Sequence, residues 1–221
     1  MKRVITIVLS LLILLTISAC GSSQTAYTRA SLETKAHMPS ESASESIQEA
    51  GSRVEIASLK GSICVPDGYY ALSEDLPYTD EMLKSISINK QNLEEVLPLL
   101  QGQTIIVPAG KPYADSLHYY IKVKEKKYEN ITLSNLSQSD YDFVASSVVS
   151  SFNVDQYETV TGNGLRFFVF NYNVGLGNTY RYATILNGHM IYIYVNTGDK
   201  TITKDQKNVL ESIALSIHHG L

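Results

Sequence analysis

The stretch Tyr180-Arg181-Tyr182-Ala183-Thr184-Ile185-Leu186-Asn187-Gly188-His189-Met190-Ile191-Tyr192-Ile193-Tyr194-Val195-Asn196 decides the fold class. Two runs rich in aromatic and β-branched residues flank Asn187-Gly188, the strongest short signal for a two-residue hairpin turn. A two-residue turn fixes the pairing, setting Tyr182 opposite Ile193 and Ala183 opposite Tyr192. Both faces of this hairpin are then apolar, as are both alternating sets in Leu165-Arg166-Phe167-Phe168-Val169-Phe170. A sheet covered on one side alternates apolar with polar residues. The expectation is therefore an α+β domain in which helices pack on both faces of an antiparallel sheet, a three-layer α/β/α sandwich.

Working outward, further strands are expected over 156–160 and 104–107, over 117–123, and in an opening hairpin with strands at 54–56 and 62–65. Ser137 caps a helix whose Tyr141, Val144, Ala145, Val148 and Phe152 share one face. Thr203 and Gln206 form a capping box for a last helix striped by Val209, Leu210, Ile213, Ala214 and Ile217. Thr79 caps a short helix, and Pro98 limits the one around Leu93. Thr161-Gly162-Asn163-Gly164 is a hairpin turn. The loop from Asn173 to Asn178 is a turn long enough for recognition. His218-His219 sits on a fraying end. Lys122, Lys124, Lys126 and Lys127 suggest a solvated strand edge.

The N-terminal third differs in kind. Residues 1–19 carry Lys2 and Arg3 and then an apolar run, a signal-peptide pattern. Ile17-Ser18-Ala19-Cys20 resembles the lipobox of bacterial lipoproteins. That resemblance implies cleavage before Cys20, a diacylglyceryl group with palmitate-type chains on its sulfur, and a membrane anchor on the extracytoplasmic face. Residues 20–52 are rich in Ser, Thr, Ala and Glu, too polar to bury a core, and suggest a flexible linker. A single domain over 53–221 completes the organisation. With Lys2 and Arg3 removed the chain carries about −6 charges and no basic run, which argues against nucleic acid.

Val65-Pro66-Asp67-Gly68-Tyr69, Tyr192-Ile193-Tyr194 and Ser212-Ile213-Ala214-Leu215-Ser216-Ile217, in that order, resemble the PsbP-like fold, the family of the photosystem II oxygen-evolving accessory protein. The likeness spans about residues 54–217 and implies an accessory or binding role without chemistry of its own. It carries over no site residue.

No catalytic motif is recognisable, and no histidine or cysteine pair has ligand spacing, so no metal site and no cofactor are expected. Cys64, in an apolar strand, is expected to be a buried, inert thiol. Tyrosine is the unusual component: 15 tyrosines against 5 phenylalanines and no tryptophan. Rings at the core with hydroxyls at the rim account for many of them. A second account is an aromatic surface at Arg166, Tyr180, Arg181, Tyr192 and Tyr194 that binds a protein or envelope polymer. Two further readings stay open. An envelope hydrolase or transferase requires Asp155 or Glu158 to converge with His189, and a small-solute-binding lipoprotein requires a deep pocket.

Overall fold

The computed structural model describes residues 42–43, 51–100, 103–128, 131–173 and 177–219. Cys20, the leader and most of the expected linker lie outside these residues. In chain order the strands are β1 (Ser42–Ala43), β2 (Ser52–Ile56), β3 (Gly61–Val65), β4 (Tyr69–Leu72), β5 (Gln103–Pro108), β6 (Tyr119–Val123), β7 (Glu158–Gly162), β8 (Leu165–Asn173), β9 (Asn178–Leu186), β10 (His189–Asn196) and β11 (His218–His219). The α-helices are α1 (Asp80–Ser85), α2 (Lys90–Val96), α3 (Gln138–Ser150) and α4 (Lys204–Leu215). The architecture is mixed α+β with antiparallel sheets.

The expected register holds: Tyr182 pairs with Ile193 and Ala183 with Tyr192. Asn187 and Gly188 both take positive φ, 49° and 84°, as the primed turn requires. A side chain at residue 188 would strike the carbonyl of Tyr128, because the segment after β6 wraps over the turn. Around this hairpin the main sheet runs β1-β7-β8-β9-β10-β6-β5-β4. Its pairings are antiparallel except for the two-residue parallel contact of Ser42 and Ala43 with Val160 and Thr161.

Three expectations are corrected. The lysine-bearing strand β6 is not an edge. It pairs with β10 on one side and β5 on the other, and an unforeseen strand, Tyr69–Leu72, takes the outer position beyond β5. Nor is there a single sheet, since the opening hairpin stands apart as β11-β3-β2. Finally, His218 and His219 are not frayed but paired with Ser62 and Gly61. Gly61 permits this approach, as a Cβ there would lie 2.1 Å from the His218 carbonyl oxygen. Ser216 fastens the same seam: its Oγ accepts from the Cys64 backbone N–H at 2.8 Å. Cys64 itself is buried.

Alternate residues of β8 enter different apolar clusters. Leu165, Phe167 and Val169 join Ile191, Ile193 and Val195, with Leu210, Ile213 and Ala214 of α4 and Ile56, Ile63 and Val65 of the small sheet. Phe168, Phe170 and Tyr172 join Ala183, Ile185 and Tyr192, with Tyr141, Ala145 and Val149 of α3. A third cluster sets Met82 and Leu83 of α1 and Leu93 of α2 on Leu72, Ile105 and Val107. The capping signals act as expected: Thr79, Ser137 and Thr203 each accept from a backbone N–H of the first turn, and the Thr203–Gln206 box is complete. α2 gives way at Leu97–Leu100 to a 3-10 turn that contains Pro98.

Candidate binding site around Arg181

Strand pairing aligns Tyr120, Tyr194, Arg181 and Phe170 in one row across four neighbouring strands. Residues two apart on a strand share a face, so Tyr172 and Tyr192 stand beside that row. Phe152 arrives from the turn that ends α3, where its N–H donates to the Val149 carbonyl at 2.9 Å. It packs 4.8 Å from the Tyr172 ring and 5.4 Å from Phe170, centroid to centroid.

These rings enclose a cation. The guanidinium carbon of Arg181 lies 4.5 Å from the centroid of Tyr192, 4.7 Å from Phe152, 4.8 Å from Tyr194, 4.9 Å from Tyr172 and 6.0 Å from Phe170. All lie within the range at which an aromatic face attracts a cation. Only 8% of Arg181 is exposed, and its Nε is sealed from solvent without a hydrogen-bond partner. Among the described residues no carboxylate pairs with it; the groups that act on its charge are Tyr172, Tyr192 and Tyr194. Burial pulls its pKa below the ordinary arginine value, and those three phenols oppose the shift. Guanidinium stays protonated in proteins, so the site holds a cation at neutral pH. Burial in turn raises the Tyr172, Tyr192 and Tyr194 phenols, with Arg181 acting the other way.

The rim is polar. Lys124 Nζ sits 5.6 Å from the Tyr192 centroid. Tyr120 stacks on Tyr194 at 5.0 Å and 16°. The Tyr194 hydroxyl donates to Gln103 Oε1 at 3.4 Å, and Asn196 Nδ2 donates to Thr179 Oγ1 at 2.9 Å.

Of the five surface residues named from sequence, the fold gathers Arg181, Tyr192 and Tyr194. Arg166, on β8, reaches away to the start of α3, its guanidinium 3.8 Å above the Tyr141 ring and its NH2 donating to Gln138 Oε1 at 2.6 Å. Tyr180 belongs to the opposite face, since it neighbours Arg181 on β9. It meets the edge of Tyr182 at 5.9 Å and lies under Lys207 Nζ at 4.5 Å. Phe152, Phe170, Tyr172, Tyr120 and Lys124 were not in the sequence-derived set. Strand alternation puts Phe170 and Tyr172 on one face of β8, but the registers that bring β8 and β6 beside the hairpin are not fixed by Asn187-Gly188. Phe152 carries no such signal, because its position depends on where α3 lands.

The groups required for a hydrolase or transferase do not meet. Glu158 pairs with Val169 and His189 with Leu186. That separation is three strands across and four residues along, roughly 20 Å by standard sheet spacings. His189 Nδ1 instead lies 3.0 Å from the Lys124 carbonyl, and Asp155 is exposed on the connection before β7. Among the described residues no three His, Cys, Asp or Glu side chains converge as a metal site would demand. A cavity of about 50 Å³ opens between Ile56, Ser58, Ser73 and Glu74, far below the ~300 Å³ at which small-molecule sites begin.

The site thus combines flat aromatic walls with a buried cation. No family model matches the chain, and no curated protein matches it. Among solved structures it is similar to the solution structure of cyanobacterial PsbP (CyanoP) from Synechocystis sp. PCC 6803, with 11% identity and a TM-score of 0.41. That match covers 81% of this chain and 98% of the other. At this distance no functional residue transfers.

Proposed function

We propose that the chain is a membrane-anchored, extracytoplasmic bacterial lipoprotein whose folded part is a non-catalytic binding or accessory domain for an envelope partner. The observation that carries this reading is the gathering of Arg181 with five aromatic rings on one sheet face. Arginine and tyrosine in a desolvated cluster are the residues on which binding energy concentrates. The lipobox-like Ile17-Ser18-Ala19-Cys20 supports the anchor on Cys20, since two or more acyl chains hold a protein stably at a membrane. Residues 20–52 serve in this reading as the tether and 53–221 as the domain. The three-layer, PsbP-like form belongs to the same proposal. It is supported by helices contributing to separate clusters from alternate residues of β8 and by the phrase Val65-Pro66-Asp67-Gly68-Tyr69.

The test is crosslinking in living cells with a photoreactive group at position 194, run alongside metabolic labelling with a fatty acid. Wild type is expected to take up the lipid label and to yield a discrete crosslinked partner, while Cys20→Ser takes up no label. Normal labelling of Cys20→Ser would overturn the anchor, and repeated failure to capture any partner would overturn the binding role.

A further inference from the structure

We propose that the Arg181 box is a carboxylate-binding site whose occupant is an acidic side chain of a partner polypeptide; this rests on the binding-domain reading above and names its chemistry. A guanidinium is costly to remove from water unless it is paired. Arg181 is nine-tenths buried with no acid beside it among the described residues. Its aromatic neighbours offset part of that cost through their faces. They do not use its N–H donors, which lie in the guanidinium plane at the edge of the group. Only Nε among its nitrogens is sealed and unbonded, so the terminal nitrogens are the ones a ligand meets.

The complement of this arrangement is a planar monoanion. A carboxylate accepts two parallel N–H bonds from an arginine edge, and a single cation suffices for its charge. Phosphate carries more charge and more acceptor oxygens, which the apolar walls of Phe152, Phe170 and Tyr192 cannot serve. The low exposure of Arg181 sets the size: the anion must arrive at the tip of a slender stem. A glutamate or aspartate side chain meets that demand, its methylenes lying against Tyr192 and Tyr194. Lys124, beside Tyr192, adds a second positive charge at the rim and favours an acidic partner surface over a basic one.

The test follows the arginine Nε–H resonance of the ¹⁵N-labelled full chain in nonionic detergent. The probes are a hexaglutamate peptide, a hexalysine peptide, sodium acetate and inorganic phosphate. Hexaglutamate is expected to shift the Arg181 signal saturably. Acetate should compete only at far higher concentration, and hexalysine should have no effect. Arg181→Met should weaken binding by roughly 10- to 100-fold, as for a lost charge-assisted hydrogen bond. Tyr180→Phe, on the opposite face of the sheet, should bind like wild type. An unmoved Arg181 signal, or phosphate binding as tightly as hexaglutamate, would overturn the proposal. Should Arg181→Met fail to fold, the wild-type shift decides alone. A partner crosslinked at residue 194 with no response to hexaglutamate would sink this inference and leave the binding-domain reading standing. A hexaglutamate shift with no crosslinked partner would keep the carboxylate chemistry of the box and overturn the claim that an envelope polypeptide supplies the carboxylate.

Discussion

The two faces of the main sheet are built from the same strands yet differ in chemistry. On one face, Ile191, Ile193 and Val195 meet Leu210, Ile213 and Ala214 of α4, an aliphatic contact continuous with the small sheet. On the other, Phe168, Phe170, Tyr172 and Tyr192, all buried, and the partly buried Tyr194 form a stacked aromatic layer with Arg181 set among them. The first face, which also holds Tyr119, Phe167 and Tyr182, is close-packed and uncharged, as an interior built for stability should be. The aromatic face accepts an unpaired cation, a local cost that natural proteins confine to places where it serves another purpose. In the binding-domain reading proposed above, stability and recognition fall to opposite sides of one sheet, and that difference can be broken by experiment.

The largest expected effect is alkaline unfolding. Burial raises Tyr182 and Tyr141 strongly and pushes Tyr157 and Tyr180 up to about 12. In the unfolded chain these phenols ionise near pH ~10. Below that pH both states hold their protons and the stabilisation is complete. Above it the unfolded state sheds protons first, so stability falls as pH climbs towards 12. The tyrosines beside Arg181 should separate from Tyr182 in this titration: Tyr192 and Tyr194 have Arg181 drawing their pKa down, whereas Tyr182 has no such cation. Phenolate absorbance followed together with denaturation should show Tyr192→Phe removing an early-ionising group and Tyr182→Phe a late one. Stability that stays flat to pH 12 would remove this distinction.

Next in size is truncation on the aliphatic side. Ile213 is fully buried beneath α4, and Ile213→Ala should cost about 2–5 kcal/mol in urea unfolding, from lost transfer energy and the cavity left behind. A loss under ~1 kcal/mol would mean that α4 does not anchor this face.

Much of this division was legible in the sequence, and particular residues show why. The pairing of Tyr182 with Ile193 followed from Asn187-Gly188, because a two-residue turn leaves one register. The helices over Tyr141 and Ile213 followed from apolar periodicity and from caps at Ser137 and Thr203, all local signals. What escaped was set by distant parts of the chain. Tyr69–Leu72 is a four-residue strand whose identity comes from pairing with β5. The union of His218 and His219 with Ser62 and Gly61 spans most of the domain in sequence. Tyr180 was grouped with Arg181 because they are adjacent in sequence, although strand alternation sends neighbours to opposite faces. The enclosure of Arg181 escaped for both reasons. Tyr192 and Tyr194 were accessible by counting parity from the turn, but the register of β8 and the arrival of Phe152 come only through tertiary packing.

The smallest expected change in stability is the most informative. Arg181→Met keeps a long, flexible stem between the rings while removing the buried charge and its unsatisfied Nε. Two terms oppose each other. Lost cation–π attraction costs about 0.5–2 kcal/mol, while relief of an unpaired buried charge and an orphaned donor returns a similar or larger amount. The urea midpoint should therefore stay within ~1 kcal/mol of wild type or rise, even as hexaglutamate binding collapses. Opposite responses of stability and binding are the signature of a residue retained for recognition. If Arg181→Met instead destabilises by ~3 kcal/mol or more, comparable to Ile213→Ala, the five rings hold Arg181 as a structural member. The aromatic face would then be a second core that happens to be built around a cation.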